Sequence, residues 1–312
     1  MGPSSPSPFT GLSAFTLTPF VDEAPDLDAL ARLTSRAATS GVDSIGVLGS
    51  TGSYMYLSRD ERTRLTRTAI DAAGDTPVVV GVGALSTRQV LDLATDAQDA
   101  GAAGLLVAVP TYQALDADEV HSVFERVSAV VDVPVILYDN PGTTHVTYSP
   151  ELYGSITSLP HVAGVKIPPT RVTPGDVDTS ARQLLAVRES VAPGTAVGIS
   201  GDPAATTALL AGADLWFSVL AGVLPGPCLD LTRAATDLRS AAEAPAASAH
   251  HLHSRLSPLW ELFHTHGSLR PTAAIAEELG LVRPDSLPAP IRGLPPAARE
   301  SVARIVEELD LR

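Results

Sequence analysis

Residues Val162–Ile167 have the sequence VAGVKI, an apolar run that contains a single lysine, Lys166. The run does not alternate between apolar and polar residues, which is typical of a parallel strand buried on both faces. Eight such runs predict eight parallel strands. The other seven are Ser13–Leu17, Ser44–Leu48, Val78–Val82, Leu105–Val109, Val135–Tyr138, Ala196–Ile199 and Leu215–Val219.

Longer segments with helical spacing of apolar residues follow these runs. Ser58 precedes one of them and is followed three residues later by Glu61, the pattern of a capping box at a helix start. Repeated β/α units of this length favour a (β/α)8 TIM barrel, with an open doubly wound sheet as the structural alternative. The helix candidates include Asp26–Ser40, Ser58–Ala73, Ser86–Ala100, Asp116–Val130 and Asp176–Val191.

Three regions are expected along the chain. Residues 1–10 are rich in Pro and Ser and predict a flexible leader rather than a signal peptide. Residues 11–225 hold the barrel, and residues 226–312 form a C-terminal helical region. Its helical segments are Pro227–Ala242, Ser248–His266, Pro271–Leu279 and Pro295–Leu311.

Composition limits the possible partners. The 312-residue chain has a formal net charge of −14, which argues against binding to nucleic acid or to an anionic membrane. No apolar run reaches the roughly 18 residues that a membrane-spanning helix needs. The single cysteine, Cys228, cannot form an internal disulfide, and this fits a cytoplasmic location.

Lys166 is the only lysine among 21 basic residues, the others being arginine. A lysine can lose its proton when buried and can form an imine with a carbonyl, whereas an arginine stays protonated and cannot. Its position inside an apolar strand therefore suggests a catalytic amine. A structural lysine paired with a carboxylate is the alternative.

In a TIM barrel, functional side chains gather at the carboxyl ends of the strands. Tyr138 ends the strand before that of Lys166, so its phenol could move protons for the amine. The loop at residues 49–53 offers backbone N–H groups and the hydroxyls of Ser50 and Thr51, which suit a carboxylate or a phosphate. The strand ends at residues 110–112 and 200–202 add further polar groups.

The histidines are better explained as solvated residues of helices than as metal ligands. They fall in the C-terminal region, away from the strand ends, and no metal ligands cluster at the barrel mouth. We therefore expect neither a metal nor another cofactor. The histidines in question are His250, His251, His253, His264 and His266.

Four motifs together resemble the dihydrodipicolinate synthase and N-acetylneuraminate lyase superfamily. They are Gly49-Ser50-Thr51-Gly52, Tyr138-Asp139-Asn140-Pro141, Gly164-Val165-Lys166 and Ser200-Gly201-Asp202. The resemblance covers nearly the whole chain. It implies a (β/α)8 barrel with a C-terminal helical extension, and a homotetramer built from tight dimers.

The resemblance also implies roles for individual residues. Lys166 corresponds to the Schiff-base lysine and Tyr138 to the proton-transfer tyrosine. Ser50, Thr51 and Gly52 correspond to the loop that holds the pyruvate carboxylate. Tyr112 corresponds to a second tyrosine that reaches in from a neighbouring subunit, and Gly201 and Phe217 correspond to residues lining the site.

Three departures from the family pattern bear on the substrate. Ser53 replaces a glutamate at the end of the loop, and Ile167 replaces the acidic residue that commonly follows the lysine. Residues 142–144 lack the arginine that binds the carboxylate of the second substrate in the synthase branch. Thr143 and Thr144 suit a hydroxylated or neutral partner instead.

The resulting hypothesis is a lyase or aldolase that condenses or cleaves pyruvate, or another 2-keto acid, with an aldehyde through an imine on Lys166. Tyr138, Ser50 and Tyr112 would move protons, and Thr143 would contact the partner. A sugar-acid dehydratase on the same scaffold is the nearest competing hypothesis. A ligand-binding family member without turnover comes next, and a phosphate-sugar enzyme is the least favoured.

Overall fold

A computed structural model describes residues 9–240 and 247–311. The leader expected at residues 1–10 lies outside this range except for its last two residues. Phe9, one of these two, is only 2% exposed and belongs to the hydrophobic core. The end of the predicted segment Pro227–Ala242 also lies outside the described residues.

Eight parallel strands close into a barrel, in which the first strand pairs with both the second and the eighth and every other strand pairs with its sequence neighbours. This confirms the predicted TIM barrel and rules out the open sheet. The first strand begins two residues before the predicted run, and the others agree within two residues. The strands are β1 Gly11–Phe15, β2 Ser44–Val47, β3 Val78–Gly81, β4 Gly104–Val107, β5 Val135–Tyr138, β6 Val162–Ile167, β7 Ala196–Ser200 and β8 Leu215–Ser218.

Helices alternate with the strands and surround the barrel. The predicted capping box is present, because the Ser58 side chain accepts from the N–H of Glu61 while the Glu61 carboxylate accepts from the N–H of Ser58. Apart from a four-residue helix at Pro141–Thr144, the α-helices of the barrel are α1 Leu27–Thr39, α2 Arg59–Ala73, α3 Thr87–Asp99, α4 Ala117–Ser128, α5 Pro150–Thr157, α6 Val177–Ser190, α7 Asp202–Leu210 and α8 Pro225–Ser240. Helix α8 packs against α7 and β1 and so completes the ring.

Four more helices follow, and we call residues 247–311 the C-terminal extension. They are α9 Ala247–Arg255, α10 Ser257–His266, α11 Leu269–Glu278 and α12 Pro296–Glu308. The predicted segment Ser248–His266 holds two of them, because Pro258 lacks the N–H that a helix interior requires and instead stands in the first turn of α10. None of the described helices is long and apolar enough to cross a membrane.

The extension is attached to the barrel at several places, and α9 packs against both α7 and α8. Helix α10 packs against α7. Farther along the chain, the carbonyl of Ser286 accepts a hydrogen bond of 2.9 Å from the N–H of Phe20, in a short antiparallel hairpin after β1. The segment joining α10 to α11 is therefore held close to the carboxyl ends of the strands.

The backbone bends sharply where β2 ends, because Leu48 has a φ of +57°. A non-glycine residue in this region costs roughly 1–2 kcal/mol, so the surrounding structure must hold it there. Gly81 on β3 lies directly against the bend, and a Cβ at this position would come within 1.9 Å of the Leu48 carbonyl oxygen.

We therefore predict that Gly81→Ala lowers the free energy of unfolding by about 1–3 kcal/mol through overpacking against backbone. Gly226→Ala is the matched control, since a Cβ there meets nothing within 4 Å. It should change the free energy of unfolding by less than about 1 kcal/mol. Urea unfolding of both variants measures the difference, and equal effects would contradict the close contact.

Candidate active site

Lys166 lies on β6 and is 4% exposed. Its Nζ is 3.9 Å from the ring centroid of Phe15, 4.3 Å from that of Tyr138 and 5.2 Å from that of Phe217. Burial lowers the pKa of the amine to about 7, although the negative charge of Asp202 acts in the opposite direction. A large share of the amine is therefore neutral, and nucleophilic, near pH 7.

Tyr138 stands next to Lys166 on the neighbouring strand, in direct register with it. Its hydroxyl accepts a hydrogen bond of 3.0 Å from Nδ2 of Asn140. Burial raises the pKa of Tyr138, while hydrogen bonds with Ser50 and Asn140 act in the opposite direction. The phenol thus keeps its proton at neutral pH, as a proton donor beside the amine must.

The loop after β2 brings Ser50 and Thr51 into the same place. The bend at Leu48 directs the loop, and a Cβ on Gly52 would come within 2.7 Å of the Leu48 nitrogen, so close packing requires glycine there. At the other end, Ser53 has a φ of +51°, and its buried Oγ has no hydrogen-bond partner within the described structure. The two hydroxyls expected to hold an anion therefore lie beside the amine.

Asp202 has a role that the sequence analysis did not assign. This carboxyl is 2% exposed and accepts hydrogen bonds from Nε1 of Trp216 at 2.9 Å, from the N–H of Leu220 at 2.8 Å and from that of Val219 at 3.2 Å. Burial raises its pKa, and these hydrogen bonds oppose the rise. Asp202 thus fixes the loop after β8 beside Lys166.

Gly201 and Phe217 both line the site, as the resemblance implied. Gly201 has a φ of +88°, and a Cβ there would come within 2.9 Å of the Pro169 ring. Both the backbone conformation and the lack of space therefore favour glycine at this position. Phe217 meets the Phe15 ring edge to face at 5.7 Å and is buried. These contacts keep both rings against the amine.

Asp139 stabilises the loops around the site. Its buried carboxyl accepts a hydrogen bond from the hydroxyl of Tyr153 and pairs with Arg171 at 3.4 Å. Arg171 also donates to the carbonyl of Tyr148 at 3.1 Å. The loops that follow β5 and β6 are thereby joined to each other.

These residues surround a cavity of about 330 Å³ at the carboxyl ends of the strands, which we call the site cavity. Three of its residues, Phe263, His264 and Ser268, belong to the C-terminal extension. The expectation that the histidines lie away from the strand ends is wrong for His264, because the last turn of α10 and the residues after it border the cavity. The remaining residues of its lining are Ser50, Thr51, Tyr138, Asn140, Thr143, Lys166, Ser200, Gly201, Asp202, Pro203, Phe217 and Val219.

Tyr112 is not part of this cavity. It follows β4 on an exposed loop, and 89% of it is accessible to solvent. It lines a separate surface cleft with Leu85 and Leu115. A single chain therefore does not bring Tyr112 to Lys166.

The described residues contain no group of three or more His, Cys, Asp or Glu side chains that could hold a metal ion. His253 instead pairs with Thr206, with 3.0 Å between Nδ1 and Oγ1, and its ring packs against Trp260. These contacts fasten α9 to α7. The absence of a metal or another cofactor stays a prediction.

The chain matches the model of the Dihydrodipicolinate synthetase family over residues 8–309. It is 34% identical to a 4-hydroxy-tetrahydrodipicolinate synthase of Salinibacter ruber over 281 residues, 88% of this chain and 87% of the relative. It also resembles the crystal structure of a dihydrodipicolinate synthase from Agrobacterium tumefaciens, with a TM-score of 0.89, 38% identity and coverage of 97% and 98% of the two chains. A structure described as a monomeric dihydrodipicolinate synthase variant gives a TM-score of 0.86 at 25% identity, with 98% of each chain covered.

Fold, buried amine and relatives together define a (β/α)8-barrel enzyme, a lyase of the class I aldolase type. The family match extends over almost the entire chain and includes all four motifs at the strand ends. The protein belongs to the dihydrodipicolinate synthetase family.

The pKa of Lys166 predicts a dependence of stability on pH. The folded pKa of about 7 lies below the ordinary value of 10.5, so between these values the unfolded chain binds one more proton and stability rises with pH. Lys166→Met removes this effect. We expect the variant to be more stable than the wild type at pH 7, and its advantage to shrink by about 2 kcal/mol between pH 7 and pH 9.

Urea unfolding at the two pH values measures the change. Tyr138→Phe keeps the amine and is the control, and it should follow the wild-type pH dependence. A constant difference between Lys166→Met and the wild type would contradict the lowered pKa.

Proposed function

We propose that the protein forms a Schiff base between Lys166 and pyruvate, or another 2-keto acid, and makes or breaks a carbon–carbon bond to an aldehyde. The observation that carries the proposal is the buried amine of Lys166, whose pKa is about 7 and which lies against the ring of Tyr138. The substrates are small molecules, as expected from the sequence.

The first half of the reaction uses groups that lie next to each other. The neutral amine adds to the keto carbon, and the oxygen leaves as water after Tyr138 donates a proton to it. The carboxylate accepts hydrogen bonds from Ser50 and Thr51. The protonated imine then draws electrons from the adjacent carbon, whose proton passes to the Tyr138 phenolate and leaves an enamine.

In the second half the enamine carbon attacks the aldehyde carbonyl and forms the new carbon–carbon bond. A proton reaches the aldehyde oxygen, and water hydrolyses the imine to release product and restore the amine. The hydrogen bond between Ser50 and Tyr138 gives protons a path from the amine toward the outside of the cavity.

The identity of the aldehyde is a separate matter. The relatives are named 4-hydroxy-tetrahydrodipicolinate synthase. An arginine that binds the second carboxylate would contribute roughly 1.5–3 kcal/mol, and residues 142–144 provide none. The proposal is therefore the Schiff-base lyase, while the sugar-acid dehydratase and the ligand-binding protein without turnover stay competing hypotheses.

We also propose that the protein is a homotetramer built from tight dimers, in which Tyr112 enters a neighbouring site. Tyr112 is 89% exposed, and other apolar side chains exposed near it include Leu85 at 61%. Burial of such a patch against a second copy would remove apolar surface from water. The cytoplasmic location stays a prediction.

Borohydride trapping tests the Schiff base. Incubation with pyruvate and borohydride should place the reduced adduct on the peptide that holds Lys166, the only lysine of the chain. Lys166→Arg should give no adduct there. Tyr138→Phe should lower turnover by roughly 10²–10⁴-fold, since it removes the proton donor. A wild-type protein that gives no adduct with any of several 2-keto acids would refute the proposal.

Mixed dimers test the position of Tyr112. Taken alone, Lys166→Ala should inactivate the enzyme and Tyr112→Phe should weaken it. A dimer of the two variants has one site with both native residues if Tyr112 acts across the interface, so mixing should restore part of the wild-type activity. Failure to regain activity, although the subunits exchange as shown by native mass spectrometry, would show that Tyr112 does not act across the interface.

A further inference from the structure

The site cavity has walls from two parts of the chain. Lys166, Tyr138, Ser50 and Thr51 come from the strand ends and their loops. His264 and Ser268 come from the C-terminal extension. Because the extension lies outside the barrel, its residues contact the part of the cavity farther from the amine, where a second substrate would approach the enamine.

The backbone at His264 is held by helix α10, while its side chain is exposed. Phe263, the preceding residue, is 6% exposed, and its ring meets that of Trp260 edge to face at 5.9 Å. Helix α10 also packs against α7, whose first residue is Asp202. The His264 imidazole therefore follows the buried side chain of Phe263 in sequence, and it lines the cavity.

Four hydroxyl or imidazole side chains of the lining make no side-chain hydrogen bond within the described residues, and one of them, Thr51, is assigned to the carboxylate of the first substrate. The other three are Thr143, His264 and Ser268. Other polar groups are already engaged. Ser200 donates to the carbonyl of Ile167 at 2.8 Å, and the carboxylate of Asp202 accepts from three donors.

The charge of the lining restricts the partner. The described residues around the cavity include no arginine, and the imine occupies the only amine, Lys166. Two hydroxyls and an imidazole pair well with hydroxyl and carbonyl oxygens, whereas a second carboxylate would lack the charge-assisted partner that binds it strongly. A volume of about 330 Å³ lies at the lower end of the roughly 300–1,000 Å³ of small-molecule sites.

We propose that Thr143, His264 and Ser268 form the binding site of the second substrate and select a small hydroxylated aldehyde that carries no carboxylate. This inference rests on the proposed Schiff base at Lys166. It goes beyond it by assigning substrate selection to a histidine of the C-terminal extension.

The test compares two aldehydes of similar length, glyceraldehyde and succinic semialdehyde, with pyruvate as the common first substrate. Pyruvate consumption gives kcat/KM for each aldehyde, and borohydride trapping gives the adduct at Lys166 independently. The variants are His264→Ala, Thr143→Val and His266→Ala. His266 ends the same helix but does not line the cavity, so its variant is the control.

The wild type should use glyceraldehyde better than succinic semialdehyde. His264→Ala and Thr143→Val should each lower kcat/KM for glyceraldehyde about tenfold, the loss expected for one hydrogen bond, mainly through a higher KM for the aldehyde. Trapping of pyruvate should be unchanged in both, and His266→Ala should match the wild type throughout.

The remaining outcomes count against specific claims. A wild type that prefers succinic semialdehyde, or a His264→Ala variant with unchanged kinetics, overturns the inference while the Schiff base stands. The same holds if the adduct forms and neither aldehyde is consumed. If no adduct forms at all, the proposed function fails, and the inference built on it fails with it.

Discussion

The removal of one amine from water is the interaction on which the site depends. Lys166 is enclosed by three aromatic rings, and the resulting fall of its pKa from 10.5 to about 7 corresponds to a free energy on the order of 5 kcal/mol. Core packing elsewhere in the barrel must offset this cost. What the protein gains is a nucleophile at neutral pH, held at a fixed distance from the phenol of Tyr138.

The rings can lie so close only because the neighbouring strands carry glycine. A Cβ at Gly46 would come within 2.4 Å of the Phe15 ring, and one at Gly198 within 2.4 Å of the Phe217 ring. Gly198 also stands in register with Lys166 across β6 and β7. The absence of side chains at these positions therefore makes room for the aromatic surroundings of the amine.

The sequence predicted the barrel and the pair Lys166–Tyr138 for one physical reason. Parallel strands of a barrel end at one rim, so consecutive strand ends are neighbours in space. The position of His264 could not be predicted in this way, since the periodic pattern of an outer helix shows which face is apolar and not which part of the barrel its end covers. The role of Asp202 depends on the indole of Trp216 and on backbone N–H groups, which only the folded loop brings together. The sequence also did not predict that a single chain leaves Tyr112 exposed on a loop outside the cavity.

The division of the cavity wall between barrel and extension also bears on evolution. The amine and its phenol belong to strands whose hydrogen bonds close the barrel, so almost any change there disturbs both folding and chemistry. His264 lies in the last turn of α10 and Ser268 in the connection that follows it, and the described structure gives their side chains no part in holding the barrel together. Mutation can therefore alter that wall while the half of the cavity that holds Lys166 is inherited unchanged, and one scaffold can diverge toward new ligands through changes at the end of a peripheral helix.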